Sequence, residues 1–352
     1  MTNEFARRPV SKWMEAGGPE ADVVISSRIR LARNLVGLAF PHLMEESAAE
    51  QVFRSTSKVV GALNSGKGPQ FELIPMNTLT PLERLVLVEK HLISPQHAEA
   101  DGRQAVVLRE DEAVSIMINE EDHLRIQCLF PGLQLDRALA LANQVDDTFE
   151  QYLDYAFSEE RGYLTACPTN VGTGLRASVM VHLPALVMTG QAGRILPQIS
   201  KFGLVVRGMY GEGTEAIGNI FQVSNQISLG PTEDEIVGNL QAVVSQVIDG
   251  ERQARQSLLR ESRDQLEDRV YRSWGVLSNA RILTSQEAMQ LISDVRLGVD
   301  LGLIKEVKAS TLNQLLVTVR PGFLQVVADY DLSPYERDVR RATLVRQTVR
   351  NQ

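Results

Sequence analysis

Four stretches of this 352-residue chain carry groups able to handle phosphate together with a planar cation. In Ser26-Ser27-Arg28-Ile29-Arg30 the two arginines stand two apart, so on an extended segment both guanidinium groups leave the same side, as a clamp on a polyphosphate requires. The run Asn119-Glu120-Glu121-Asp122-His123-Leu124-Arg125 packs three carboxylates into a turn and sets an arginine on the outgoing strand. In Cys167-Pro168-Thr169-Asn170-Val171-Gly172-Thr173-Gly174-Leu175-Arg176-Ala177-Ser178 the glycines would let backbone amides approach an anion, and Arg176 leads into a strand. Beside arginines the thiolate of Cys167 would be favoured. The fourth stretch, Arg207-Gly208-Met209-Tyr210-Gly211-Glu212-Gly213-Thr214-Glu215, is a glycine-punctuated loop with one arginine and two glutamates after an apolar strand. All four are expected at strand ends, where a rigid scaffold displays functional groups. Each also has a plain reading: a solvated pair, an acidic turn, a buried small cysteine, a common glycine loop.

The elements that must position these groups are read from periodicity and punctuation. Thr80-Pro81-Leu82-Glu83 is a capping box with proline in the first turn, opening a helix toward His91. After Pro131-Gly132 an apolar stripe of Leu135, Leu139, Ala142, Val145, Phe149, Leu153 and Ala156 predicts one long amphipathic helix ending before Arg161-Gly162. Thr232 and Glu235 box a third start, with Ile236, Leu240, Val243, Val244, Val247 and Ile248 as its apolar face; Thr284 and Glu287 box another. Residues 113–118, 123–130, 177–183, 204–209 and 221–229 read as strands. Only four residues separate the first two, which fits an antiparallel hairpin and not a parallel crossover. The expected fold is α+β, an antiparallel sheet flanked by helices, with a smaller helical domain at the C-terminus. The boundary is expected near residue 255: a catalytic domain over 1–255 and a helical domain over 256–352.

Bulk composition narrows the function. A formal net charge of −8 argues against nucleic acid as a direct partner. Two cysteines, Cys128 and Cys167, are too few for a disulfide framework or a four-cysteine zinc site. No run of apolar residues is long enough for a membrane span, and the first residues lack the apolar core of a signal peptide, so a cytoplasmic protein with no membrane partner is expected. Among 36 basic residues 29 are arginine and seven lysine, a bias that suits bidentate phosphate recognition and equally a genomic codon preference.

Taken together the four stretches resemble the ATP:guanido phosphotransferases, or phosphagen kinases, and within them the bacterial protein arginine kinase branch. The segment from Cys167 to Ser178 matches the family signature, Asn119 to His123 recurs in it, and the Arg207 to Glu215 loop falls in its expected place. The family likeness covers about residues 20–255; likeness to the branch extends over nearly the whole chain, including Arg337-Asp338-Val339-Arg340-Arg341-Ala342. The resemblance implies a glutamine synthetase-like catalytic domain that uses ATP, with Mg²⁺ held mainly by nucleotide phosphates and water and no metal ligand from the protein. It implies nucleotide contacts from Ser26, Ser27, Arg28, Ile29, Arg30, His91, Arg125, Arg176, Ala177, Ser178, Val179, Met180, Arg207, Gly208, Met209, Tyr210, Gly211 and Glu212. Glu121 and Glu212 would hold the target guanidinium and Cys167 would sit against it. Arg337, Asp338, Arg340, Arg341 and Ala342 would bind phosphoarginine, although spacing alone reads that segment as the solvated face of a basic helix. Implied partners are protein substrates bearing surface arginines, an activator protein, a Clp-type ATPase or protease that links the mark to proteolysis and stress regulation, and a second copy of the chain in a homodimer.

Phosphoryl transfer asks the protein for alignment and charge neutralisation, which arginines supply. The acceptor is harder: a guanidinium with a pKa of about 12.5 to 13.8 has no lone pair to offer phosphorus, so a base, Glu121 or Glu212, must take a proton. Only about 25 residues precede Ser26, so the helical lid of the family's small-substrate enzymes is not expected, which favours a protein-borne arginine. Gly213 replaces the family's usual histidine, removing any contact made by that side chain. Two alternatives stand beside this reading: a kinase for free arginine or another small guanidine, and a non-catalytic adaptor that reads phosphoarginine.

Overall fold

The computed structural model describes residues 3–99, 103–208, 216–328 and 330–350. Its centre is an eight-stranded antiparallel sheet, in chain order β1 (Val24–Arg33), β2 (Phe71–Pro75), β3 (Ala105–Arg109), β4 (Val114–Ile118), β5 (Leu124–Pro131), β6 (Leu175–His182), β7 (Leu204–Gly208) and β8 (Ile220–Asn225). The spatial order is β2-β3-β4-β5-β1-β6-β8-β7, which puts β1 in the middle, between β5 and β6. The tight β4–β5 hairpin and the antiparallel fold class are as the sequence predicts.

Alternation along the central strands gives the sheet two unlike faces. Ile29 and Leu31 of β1, Ile126 and Cys128 of β5, Ala177, Val179 and Val181 of β6 and Val223 of β8 are buried in one apolar core. Two helices cover that face: α3 (Leu135–Glu150), which presents Leu135, Ala138, Leu139, Ala142, Val145 and Phe149, and α4 (Glu233–Glu261), which presents Ile236, Leu240, Val243, Val244, Val247 and Ile248. Before them in the chain lie α1 (Glu46–Leu63) and α2 (Pro81–Glu89), the latter opened by the expected Thr80–Glu83 capping box.

Two sequence expectations need correction. The stripe that continued to Ala156 does not stay helical beyond Glu150: Val36 N–H donates to the Asp154 carbonyl at 3.0 Å and Ala156 N–H to Asn34 at 2.7 Å, so extended pairing with the end of β1 wins over the last helical turn. Leu153 and Tyr155 are still buried, which is why the stripe looked unbroken. The strand expected over 221–229 stops at Asn225, whose amide accepts from Ala177 N–H at 2.8 Å and donates to the carbonyls of Leu175 and Ile227. That side chain takes over the pairing that the backbone gives up.

The charged stretch after residue 250 is helix throughout: α4 runs 29 residues to Glu261, and Ser262 turns the chain into α5 (Arg263–Asn279). The remaining helices, α6 (Ser285–Asp300), α7 (Ala309–Thr318), α8 (Pro321–Ala328) and α9 (Pro334–Arg350), complete a C-terminal helical region. Its core is shared. Leu277, Ile292, Leu315 and Val345 from the helices pack with Trp13 and Met14 from the N-terminal segment and with Ile25, Leu129, Met180 and Ile220 from the sheet. No helix among the described residues is long and apolar enough to cross a membrane.

Candidate active site

The second face of the sheet is polar where it is open. Directly opposed residues of an antiparallel pair lie on one face, and the register puts Arg28 opposite Leu129 and Ser178, Arg30 opposite Gln127 and Arg176, Ala32 opposite Arg125, and Arg207 opposite Gln222. Five arginines from four strands therefore stand on one surface of the sheet. Arg28 and Arg30 sit in the middle of β1, not at a strand end as expected. C-terminal helices cover one end of this face, and the other end is a cleft of about 750 Å³. Arg28, Arg30, Arg125, Arg176, Arg207, His91, Glu121 and Cys167 all line it. That volume lies within the range of small-molecule sites.

The electrostatics of the cleft are dominated by crowded, buried arginines. Arg28 hydrogen-bonds neutral groups, donating from Nη2 to Gln222 Oε1 at 2.6 Å and from Nε to Ser178 Oγ at 3.3 Å. Burial, with Arg176 and Arg125 nearby, pushes its pKa down to about 10. Burial, then Arg28, Arg125 and Arg176, holds Arg30 well below the ordinary arginine range, and its buried Nε has no hydrogen-bond partner. Arg125 differs. Despite burial its pKa is raised, because Glu120 lies at 2.7 Å and Glu121 at 2.5 Å from the two ends of its fork. Glu120 is buried and also accepts from Ser94 Oγ, whereas Glu121 is 44% exposed at the cleft. Asp122 faces away, fully buried, and accepts from Asn34 Nδ2 and Ala166 N–H. The acidic turn thus divides its work: Asp122 holds the fold, Glu120 orients Arg125, and Glu121 meets the cleft.

Cys167 is half-buried at the cleft wall, its Sγ 3.0 Å from Thr169 Oγ1. Of the glycines after it, Gly174 lines the cleft, whereas Gly172 turns its amide to the protein. The N–H groups of Gly172 and Thr173 already donate to Tyr163 and Ser228, and Gly172 (φ +109°) presses on Ser228 and Leu229 where a Cβ would collide. They let the loop lie flat on the chain beneath it. His91 also lines the cleft, in the left-handed region at φ +59°. Its carbonyl accepts from Gln127 Nε2 at 2.8 Å and its ring meets Trp13 edge-on at 5.6 Å. Burial, then Arg28 and Arg320, pushes its pKa down to about 3, so it is neutral at pH 7.

The remaining sequence candidates divide by face. Ser26, Ser178 and Met180 continue the cleft inward beside Arg28 and His91. Ile29, Ala177 and Val179 point into the apolar core, and Ser27 donates to Gly132 O at 2.8 Å, so these four frame the site from behind. Gly208 closes β7 opposite Phe221. Met209, Tyr210, Gly211, Glu212 and Gly213 lie outside the described residues. Sequence reasoning missed Gln127, Gln222 and Gln226: Gln127 and Gln222 hydrogen-bond Arg28, and Gln222 and Gln226 line the cleft. Their signal was alternation, since Gln127 follows Arg125 by two on β5. On α9, Arg341 is buried, donating to the carbonyls of Val319 and Leu283, each at 2.7 Å, and pairing with Asp338, while Ala342 is wholly buried. Arg340 is exposed and Arg337 half-buried.

Comparison with known proteins bears on the same residues. Residues 51–254 match the family model for the ATP:guanido phosphotransferase C-terminal catalytic domain, and residues 263–352 match that for the protein-arginine kinase McsB C-terminal domain. The chain is 59% identical over 341 residues to the protein-arginine kinase of Moorella thermoacetica, covering 96% of this chain and 97% of that one. It is 55% identical to the protein-arginine kinase of Geobacillus kaustophilus, covering 99% and 96%. Among solved structures lombricine kinase is similar at a TM-score of 0.58 and 28% identity, over 69% of each chain. The duplicated taurocyamine kinase of Schistosoma mansoni with bound transition state analog components, at a TM-score of 0.59 and 22% identity over 75% of this chain and 40% of that one, shares the fold.

Proposed function

We propose, for a chain that belongs to the ATP:guanido phosphotransferase family, that this cleft transfers the γ-phosphoryl group of ATP to arginine side chains of proteins. The observation that carries the reading is the convergence, on one open sheet face, of five arginines with a carboxylate and a thiol. The arginines would hold the phosphates, Arg30 Nε being a buried donor that an anion would satisfy. Among the described residues no cluster of His, Cys, Asp and Glu is set to hold a metal, so Mg²⁺ would ride on the phosphates and water and supply neutralisation of phosphoryl charge.

At the acceptor end, Glu121 and Cys167 would fix the plane of an incoming guanidinium, and Glu212 would complete the set. A guanidinium nitrogen gives its proton to a carboxylate as the N–P bond forms; the bond from phosphorus to the β-phosphate oxygen breaks, and ADP leaves. The names of the relatives, protein-arginine kinases, support an acceptor carried on a protein. Incubation with γ-³²P-ATP and an arginine-rich protein should give acid-labile label on arginine. Glu121→Ala and Glu212→Ala should each reduce transfer by about a hundredfold or more; full activity in both would remove the mechanism.

The same family reading extends to a cytoplasmic homodimer working with an activator protein, and to phosphoarginine as a mark for Clp-type proteolysis and stress regulation. On α9 the pair Arg337 and Arg340, with Asp338 between them, would take the phosphoryl-guanidinium group, with Arg341 and Ala342 as its buried frame. Calorimetry with a phosphoarginine peptide should give weaker binding in Arg337→Ala plus Asp338→Ala; unchanged affinity removes that pocket.

A further inference from the structure

Three consecutive residues at the end of α2 hold three different parts of the molecule. Glu89 is buried, and its two carboxylate oxygens accept from Gly322 N–H at 2.8 Å and Phe323 N–H at 2.9 Å, the first free amides of α8 in the C-terminal region. Lys90, fully buried, donates to Phe5 O at 2.9 Å and pairs with Glu112, while its own carbonyl accepts from Trp13 Nε1 at 3.0 Å. His91 follows, in a left-handed conformation that a non-glycine residue holds only when its surroundings dictate it, with its ring in the cleft. The C-terminal helices contribute no side chain to the cleft lining among the described residues, yet the first amides of α8 hold the side chain of Glu89, two residues from His91, which does line it.

We propose that Glu89 is a positioning residue for the nucleotide: by fastening the last turn of α2 to the N-terminus of α8 it fixes where His91 stands, so that nucleotide affinity depends on the docked C-terminal helices. The inference rests on the nucleotide reading of the cleft given above. Burial pushes the Glu89 carboxyl up to about 7, while the two amides, then Arg320 and Arg341, favour its ionised form. The contact is tight from the other side as well. A Cβ on Gly322 would lie 2.9 Å from Glu89 Oε2 and 2.9 Å from Leu85 Cγ, so Gly322→Ala presses on the same carboxylate without touching the sequence of α2.

The test is titration of a fluorescent ADP analogue into the full-length parent, Glu89→Gln and Gly322→Ala, with melting temperature and transfer kinetics measured alongside. Leu277→Ala serves as comparison, because it opens the C-terminal core on α5, away from α2. Glu89→Gln and Gly322→Ala should each weaken nucleotide binding about five- to tenfold, with the rate at saturating ATP and the KM for the protein acceptor within about twofold of the parent. Leu277→Ala should lower the melting temperature and leave nucleotide affinity in place. A lowered melting temperature with unchanged affinity in both Glu89→Gln and Gly322→Ala overturns the proposal, as does an equal loss of affinity in Leu277→Ala. A parent that fails to bind the analogue sinks the nucleotide reading itself.

Discussion

Arg30 carries its charge into the cleft with Nε unbonded and three other arginines around it, an arrangement that destabilises the ligand-free protein and is relieved when an anion arrives. Arg30→Met should therefore raise the melting temperature of the nucleotide-free chain by a few degrees and abolish the further rise that ATP produces in the parent, both read by thermal unfolding. Arg125 is in the opposite condition, its fork shared between Glu120 and Glu121. Glu121→Gln should cut transfer by about a hundredfold while nucleotide affinity holds or rises, because Arg125 loses a competitor for phosphate. Residue chemistry was the most legible part of the sequence. Types and spacing pointed to all five arginines and Cys167, the family resemblance added Glu121 and His91, and the fold brings these together. Among the glutamines only Gln127 had a signal, its two-residue spacing from Arg125; Gln222 and Gln226 had none until the face they share was known. For Ile29, Ala177 and Val179, proximity in sequence to site residues was no guide to direction: alternation sends them to the core.

At the scale of elements, capped helices and the β4–β5 hairpin could be read because their signals are local. The edge strand β2, its neighbour β3, and α1 went unread, and β1 was seen only as a short extended segment: strands so placed are defined by partners far away in the chain. The loop that carries Cys167 depends on such a distant partner, since Ser228 Oγ donates to the carbonyls of Thr169 and Val171. Gly172→Ala would drive a methyl into Ser228 at a backbone angle of φ +109°. It should cost about 1–3 kcal/mol of stability and slow transfer by lifting Cys167 away from the cleft, as denaturant titration and initial rates would measure.

For the molecule as a whole, acid should loosen the seam between sheet and C-terminal helices. His182, buried at the end of β6, bonds Ser293 of α6 at 2.8 Å. Burial, then Arg255 and Arg296, holds its pKa well below the ordinary value. The unfolded chain takes up this proton near pH 6.5 and the folded chain refuses it, so stability is complete above that pH and declines below it. Asp300, raised by burial to about 6 despite Arg296 and Arg255, works the other way, gaining stability as pH falls from about 6 toward 4. Between pH 6.5 and 5 the parent should therefore lose more stability than His182→Gln, by about 1.4 kcal/mol for each pH unit; parallel curves would show that His182 is not the sensor.

Trp13, Met14, Leu129, Met180 and Ile220 spend their apolar surface on helices that begin only after Ser262. An excised fragment ending at Ser262 would retain every described cleft-lining residue and still be a poor enzyme preparation, since it would bare a greasy scar where α5 to α9 had lain. Such a fragment should self-associate on gel filtration, and adding residues 263–352 as a separate polypeptide should return it to solution.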